Sequence, residues 1–165
     1  MKQLMLIAHN LRSAHNVGSL LRTAEGLGVD KVYLTGYTPY PLHNNDERLP
    51  HLATKIDKQI SKTALGAETS QSWQHLDEVD GLIKELKQDG YLVAALEQAS
   101  NSIQLTDFKS RGKIALIVGR EVEGVEPEVL AACDNIVEIP MFGSKESFNV
   151  AQAAAMALYH LRFMA

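Results

Sequence analysis

The sequence predicts one α/β domain built on a parallel sheet. Three observations support this fold class: a length of 165 residues, 45% hydrophobic against 22% charged residues, and apolar segments that alternate between strand-like and helix-like spacing. A single core is economical at this length, so we expect one domain over residues 1–165. The balance of apolar and charged residues excludes a disordered or collagen-like chain.

The first elements predict a βαβ unit. A strand is expected over residues 3–8, a helix over residues 16–26 and a second strand over residues 31–35. Strands joined through a helix normally pair in parallel. Arg22 lies off the apolar stripe of this helix, between two glycines placed four residues to either side. That face is therefore expected to admit a close partner.

The middle of the chain is less regular. Residues 36–50 hold three prolines and a polar run, which predicts a long irregular loop of the kind that often serves function. The secondary structure of residues 51–68 stays open, because charged and apolar residues are mixed there. Apolar side chains at helical spacing in residues 75–88 predict an amphipathic helix, which Gly90 would end in a left-handed conformation.

The second half continues the alternation. Strands are expected over residues 91–96, 113–118 and 135–139, with a short helix that Pro127 opens at its first turn. The final helix, over residues 149–161, is apolar nearly all round and must be buried on several sides. In so small a domain, a homodimer interface is the expected second cover.

Composition limits the location and the chemistry. The only cysteine, Cys133, sits in an apolar stretch, which excludes disulfide and zinc frameworks. The N-terminal apolar run LMLIA is too short for a signal peptide or a membrane span, so a cytoplasmic location is expected.

Charge does not by itself indicate nucleic-acid binding. The net charge is −4 at pH 7, whereas strongly basic domains are typical of nucleic-acid binders. Two local clusters of basic residues stand out from this acidic balance, and each is either a nucleic-acid contact or solvated surface. They are Arg12 with His9 and His15, and Lys55 with Lys58 and Lys62.

Three segments follow predicted strands, where ligands bind in open α/β sheets: HNVGSLLRTA, IVGREVEGV and IPMFGSKESFNVAQAAA. The glycines of the second segment, Gly119 and Gly124, bracket two glutamates that would repel a pyrophosphate, so NAD binding is disfavoured. A tight turn explains that segment equally well. Helix capping is an alternative explanation for Asn16, Ser147 and Asn149.

Together the three segments resemble the signature motifs of the SpoU, or TrmH, branch of the SPOUT RNA methyltransferases. They occur in the same order and at similar separations, and the resemblance covers nearly the whole chain. The matching residues are Asn16, Gly18, Arg22, Thr23 and Ala24 in motif one, Gly119, Glu121 and Gly124 in motif two, and Ile139, Pro140, Met141, Ser147, Asn149 and Val150 in motif three. The stretch KTALGAE and Trp73 also resemble this family.

The resemblance implies a parallel sheet with helices on both faces and a C-terminal trefoil knot. It implies S-adenosyl-L-methionine as methyl donor, with no metal, and RNA as substrate. The first strand starts directly after Met1, so the chain looks like the minimal form, whose relatives modify tRNA as homodimers; tRNA is therefore favoured over rRNA. The implied donor contacts are Leu96, Gly119, Ile139, Met141, Ser147 and Phe148.

The resemblance also implies the catalytic residues. Arg22 would clamp a phosphate and stabilise charge on the ribose 2′-oxygen, while phosphate or water takes the proton. Glu121 would orient Arg22 or the ribose, and Asn16 would position the nucleotide. Ser147 and Asn149 would close the pocket. The alternatives are the same activity on rRNA, or an inactive RNA-binding relative that keeps the donor pocket; a nicotinamide enzyme is disfavoured.

Overall fold

Strands and helices alternate along the chain in the computed structural model, which describes residues 2–110 and 112–165. Residues 1 and 111 of the expected domain lie outside the described part. The elements within it are β1 (Gln3–His9), α1 (Ala14–Gly26), β2 (Lys31–Thr35), α2 (Pro50–Ala64), α3 (Ala67–Ser70), β3 (Trp73–Leu76), α4 (Asp80–Gln88), β4 (Leu92–Leu96), β5 (Ile103–Gln104), β6 (Lys113–Val118), α5 (Pro127–Ala132), β7 (Asn135–Glu138) and α6 (Val150–Phe163).

The strands form one sheet, and its order across the described residues is β3-β2-β1-β6-β4-β7-β5. Every pairing in it is parallel. This confirms the parallel α/β prediction and the first βαβ unit. Because all strands point the same way, the loops that follow β1, β4, β6 and β7 meet at one edge of the sheet.

Helices cover both faces of the sheet. On one face, Leu6 and Leu116 belong to a core that includes residues of α1, α2 and α6. On the other face, Ile7 and Ile117 belong to a core with α4 and α5. Successive residues of a strand point to opposite faces, so central strands buried on both faces are apolar throughout.

The helix predicted over residues 75–88 is wrong in its first part. Residues 73–76 form β3, which pairs with β2, and the helix begins only at Asp80. Leu76 and Val79 fit the helical spacing of α4, but the backbone of residues 73–76 instead forms hydrogen bonds with β2. Gly90 has a φ of 83°, as expected for the residue that ends a helix.

Residues 51–68 are mostly helical, in α2 and the start of α3. A Cβ on Gly18 would overlap Thr63 Oγ1 and the carbonyl oxygen of Ile60, and would lie 3.0 Å from the amide nitrogen of Ala64. The helices α1 and α2 therefore pack backbone to backbone at Gly18. The close partner expected beside Arg22 is thus α2 of the same chain.

The final helix is buried on one side and apolar on the other. Ala154, Ala157, Leu158 and Leu161 are buried, as their spacing predicts. Arg162 donates hydrogen bonds to the carbonyl oxygens of Lys2, just before β1, and Leu27, in the turn that leads to β2. Outside this buried face, α6 exposes apolar side chains. They are Met156 (38% exposed), Tyr159 (54%) and Phe163 (64%).

Candidate active site

A cleft of about 260 Å³ opens at the carboxyl ends of β4, β6 and β7. The loops that follow these strands form its walls, and the first turns of α6 close one side. The predicted donor contacts Leu96, Gly119, Ile139, Ser147 and Phe148 all line it, whereas Met141 lies outside the lining. The other lining residues are Glu97, Gln98, Val118, Arg120, Glu121, Val122, Gly124, Glu138, Glu146, Val150 and Ala153.

A tight turn forms one wall of the cleft. Arg120 and Gly124 pair as an isolated antiparallel bridge, with N···O distances of 3.1 Å in both directions. A Cβ on Gly119 would lie 2.6 Å from the amide nitrogen of Val125 and 2.7 Å from the carbonyl carbon and oxygen of Gly124. Only glycine fits there, so the tight-turn interpretation is correct and the turn also shapes the cleft.

Glu97 holds the other end of this turn. Its carboxylate accepts hydrogen bonds from the amide of Val125 at 3.0 Å and from the amide of Gln98 at 2.9 Å. Gly124 has a φ of 72°, and a Cβ there would overlap the Glu97 carboxylate. The turn is therefore tied to the end of β4 by a carboxylate that also lines the cleft.

A polar network joins the three motif segments at the edge of the cleft. Glu121 accepts hydrogen bonds from the amide nitrogens of Arg12 at 3.1 Å and Ser13 at 3.0 Å. The Asn16 side-chain amide donates to Glu121 at 3.2 Å, and the Asn149 side-chain amide donates to the side-chain oxygen of Asn16 at 3.1 Å. Asn16, Glu121 and Asn149, far apart in the sequence, are thus neighbours in space.

Hydrogen bonding decides the charge state of Glu121. Partial burial works to raise the pKa of its carboxyl, but the amides of Ser13 and Arg12 and the side chain of Asn16 outweigh that effect and lower the pKa. Glu121 is therefore an anion at neutral pH. In the described part of the chain Glu121 makes no hydrogen bond with Arg22, and its side-chain partner is Asn16.

The capping explanation holds for one asparagine and fails for the other. Asn149 caps α6, because its side-chain oxygen accepts from the amide of Ala151 at 2.9 Å. Ser13, and not Asn16, caps α1, since its hydroxyl accepts from the Asn16 amide. The side chain of Asn16 is consequently available to the network described above.

Arg22 is exposed on α1 and does not line the cleft. In residues 2–110 and 112–165, no hydrogen bond or ion pair involves its side chain. It follows Gly18 by one helical turn, so it lies on the side of α1 that faces α2. Asn16, six residues earlier, points to a different side of the helix.

The sequence did not predict a second polar cluster beside this network. His9 is buried, its Nδ1 lies 2.8 Å from Thr35 Oγ1, and its Nε2 lies 3.5 Å from the Glu126 carboxylate. Asn10, with a φ of 55°, donates to Glu126 at 2.8 Å, and Arg120 lies 3.6 Å from it. The only sign of this cluster in the sequence is the polar pair His9 and Asn10 at the end of the first strand.

The basic cluster predicted around Arg12 is wrong. Burial is the main cause that lowers the pKa of His9, so its ring is neutral at pH 7 and faces the interior. Arg12 pairs with Glu123 at 2.7 Å, which neutralises its charge locally. His15 is exposed at the start of α1.

The charge of the cleft is negative. Among the described residues, four carboxylates line it, against the single cation of Arg120. They belong to Glu97, Glu121, Glu138 and Glu146. Apolar side chains of Leu96, Ile139 and Phe148 lie in the same cleft. The arrangement suits a ligand that carries positive charge on an otherwise flat or apolar body.

Two kinds of feature are absent from the described residues. They contain no group of three or more histidine, cysteine, aspartate or glutamate side chains arranged to hold a metal ion. Within the same residues, every helix is too short or too polar to cross a bilayer.

Comparison with known proteins identifies related sequences. The chain is 28% identical over 161 residues to a tRNA (guanosine(18)-2′-O)-methyltransferase of Aquifex aeolicus, covering 96% of this chain and 68% of the relative. It is 32% identical over 157 residues to a 23S rRNA (guanosine-2′-O-)-methyltransferase of Bordetella pertussis, covering 94% and 58% respectively. The chain thus spans roughly three fifths to two thirds of the length of these relatives.

Solved structures share the fold. The SpoU methyltransferase AviRb of Streptomyces viridochromogenes, solved in complex with the cofactor AdoMet, superposes with a TM-score of 0.78 at 22% identity, covering 96% of this chain and 58% of that one. Residues 3–159, nearly the whole chain, match the family model described as SpoU rRNA Methylase. The motif residues, their meeting at one cleft and this match together assign the chain to the SpoU methylase family.

Proposed function

We propose that this protein transfers a methyl group from S-adenosylmethionine to a ribose 2′-hydroxyl of RNA. The observation that carries the proposal is the network in which Asn149, Asn16 and Glu121 join all three motif segments at the edge of one acidic cleft. The two relatives are named for 2′-O-methylation of guanosine, one in tRNA and one in 23S rRNA. We favour tRNA, with rRNA as the alternative.

The cleft fits the proposed donor. AviRb shares this fold and is described with AdoMet bound. The four carboxylates that line the cleft favour a sulfonium and an ammonium group, and Leu96, Ile139 and Phe148 offer apolar surface to an adenine. Gly119 has no side chain, so it presents only backbone atoms to a ligand in the cleft. Ser147 closes the opposite side, and Met141 stays a predicted contact two residues beyond Ile139.

The bound donor would supply an electrophilic methyl group on sulfur. The protein's residues must then hold the 2′-oxygen in line and help remove its proton, since a hydroxyl is a weak nucleophile at neutral pH. We assign the positioning of the nucleotide to Asn16, which is held by Glu121 on one side and Asn149 on the other. Glu121 is then a positioning residue, whose three hydrogen bonds fix the start of α1.

Arg22 is assigned to the phosphate next to the reacting ribose. Its guanidinium stays protonated at accessible pH, so it stabilises charge and does not act as a base. The proton passes to the phosphate or to water. An exposed Arg22 outside the donor cleft is suited to contact RNA that lies over α1.

Replacing Arg22 with alanine tests these roles. We expect methyl transfer to RNA to fall by about 100-fold or more, because one preorganised charge contact in a transition state is worth about 3 kcal/mol. Donor affinity should stay within about twofold of the wild type, as Arg22 does not line the cleft. Lys84→Ala, an exposed position on α4, is the matched control. Near-normal turnover by Arg22→Ala would refute the assignment.

We also propose three features of the architecture. Residues 1–165 act as one domain. The last segment, which lines the cleft before α6 returns to pack on α1, forms the trefoil knot that the resemblance implies. A second copy covers the apolar face of Met156, Tyr159 and Phe163 on α6, giving a homodimer. Light scattering during gel filtration tests the dimer, and a monomeric mass at micromolar concentration would contradict it.

A further inference from the structure

One face of α2 carries a row of unpaired lysines. Lys55, Lys58 and Lys62 are exposed, and no ion pair involves them in the described residues. At 3.6 residues per turn the three lysines and His51 fall within about 60° of arc, and the three lysines extend about 10 Å along the helix axis. We call this surface the lysine face. It is positive on a chain whose net charge is −4.

The rest of α2 explains why these lysines point outward. Ala53, Ile60 and Ala64 are buried on the opposite side of the helix, where α2 packs on α1. Asp57 also faces away from the lysines, since its carboxylate accepts the amide of Leu42 at 2.8 Å. A shallow depression runs along the lysine face, and its lining contains no acidic residue; the remaining lining residues are Pro50, Thr54 and Gln59.

The helix that carries the lysine face packs on the motif-one helix. Thr63, one residue after Lys62, donates its hydroxyl hydrogen to the carbonyl oxygen of His15 at 2.8 Å, and His15 precedes Asn16. Arg22 lies on the side of α1 that faces α2, one turn after the Gly18 contact. The helix that carries the lysine face is therefore packed beside the helix that carries Arg22.

We propose that the lysine face binds the phosphate backbone of the substrate RNA and holds it against α1. The proposal rests on the function proposed above and names the surface that supplies affinity for the RNA. Three unpaired cations in a row over about 10 Å match a few successive phosphates of one strand, and such contacts do not read sequence. An anionic membrane surface would satisfy the same charges, but it would not need α2 to pack on the helix that carries Arg22.

The test compares two triple variants of equal net charge. In one, Lys55, Lys58 and Lys62 become alanine. In the control, Lys84, Lys87 and Lys109, which lie away from α2, become alanine. Binding of total tRNA is measured between about 0.05 and 0.3 M salt, with vesicles of phosphatidylserine and phosphatidylcholine as the second probe. Donor affinity and methyl transfer are measured on the same preparations.

We expect the lysine-face variant to lose about 2 from the slope of log affinity against log salt, since each phosphate contact contributes about 0.7. At about 0.15 M salt this corresponds to a loss of affinity for tRNA of roughly 10- to 100-fold. The control variant should keep the wild-type slope, and donor affinity should be unchanged in both. Alanine favours helix, so α2 should persist, which circular dichroism checks.

Two results would overturn the proposal: an equal slope in the lysine-face variant and the control, or loss of vesicle binding with tRNA affinity retained. Failure of the proposed function is separate. A wild-type protein that binds tRNA through the lysines without labelling any RNA would refute methyl transfer alone. A lysine-face variant that methylates and binds tRNA normally would refute the lysine face alone.

Discussion

Gly119→Ala should weaken donor binding by distorting the wall of the cleft. The added Cβ would lie 2.6 Å from the amide nitrogen of Val125, whereas ordinary contacts begin at 3.4 Å, so backbone must move by about 0.8 Å. Overpacking against backbone costs about 1 to 3 kcal/mol. Because the donor-bound turn bears this cost, donor affinity should fall by about 5- to 150-fold, since 1.4 kcal/mol is tenfold.

Isothermal titration calorimetry with S-adenosylmethionine measures this loss. Gly143→Ala is the matched control, since a Cβ there meets nothing within 4 Å in the loop between β7 and α6. Urea unfolding of both variants separates local distortion from global destabilisation. Donor affinity within twofold of the wild type in Gly119→Ala would refute the reasoning that this turn shapes the donor site.

Three further outcomes are expected. Gly18→Ala should lower the free energy of unfolding by about 1 to 3 kcal/mol despite alanine's better helix propensity, whereas Gly26→Ala, where a Cβ meets nothing within 4 Å, should raise it by up to about 1 kcal/mol in urea titrations. Burial raises the pKa of Cys133 to about 11, so a thiol reagent at about pH 8 should label the folded protein about 100-fold more slowly than the urea-unfolded chain. Burial also lowers the pKa of His9 below 6.5, so as the pH falls the unfolded chain binds the proton of this histidine before the folded chain does. The free energy of unfolding should therefore decline as the pH falls from 6.5 toward the folded pKa. His9→Gln should flatten this decline, measured as the urea midpoint at each pH.

Patterns over a few neighbouring residues predict the helices and strands that do not depend on contacts with distant parts of the chain. The spacing of β1, α1 and β2 fits the structure to within two residues. β3 was missed because its strand conformation depends on pairing with β2, about forty residues earlier. The sequence does not predict α2, because the buried stripe of this helix consists largely of alanine and the backbone contact that orders it lies at Gly18 on another helix.

The site divides in the same way. Asn16, Glu121 and Asn149 were predicted through the family motifs, and their mutual hydrogen bonds give those motifs a physical reason. The pairing of His9 with Glu126 joins residues that are more than one hundred positions apart and has no local signature. Glu121 was expected to orient Arg22 or the ribose, and spacing along a helix did not reveal that Asn16 is its side-chain partner.

The nature of the labelled product tests the central claim most directly. Purified protein is incubated with S-adenosylmethionine labelled in its methyl group and with total tRNA, and the RNA is then hydrolysed in alkali. A 2′-O-methyl group blocks attack of that oxygen on the next phosphate, so we expect the label in an alkali-resistant dinucleotide. Label confined to mononucleotides, which indicates a methylated base, or no label in tRNA or rRNA, would contradict ribose methylation.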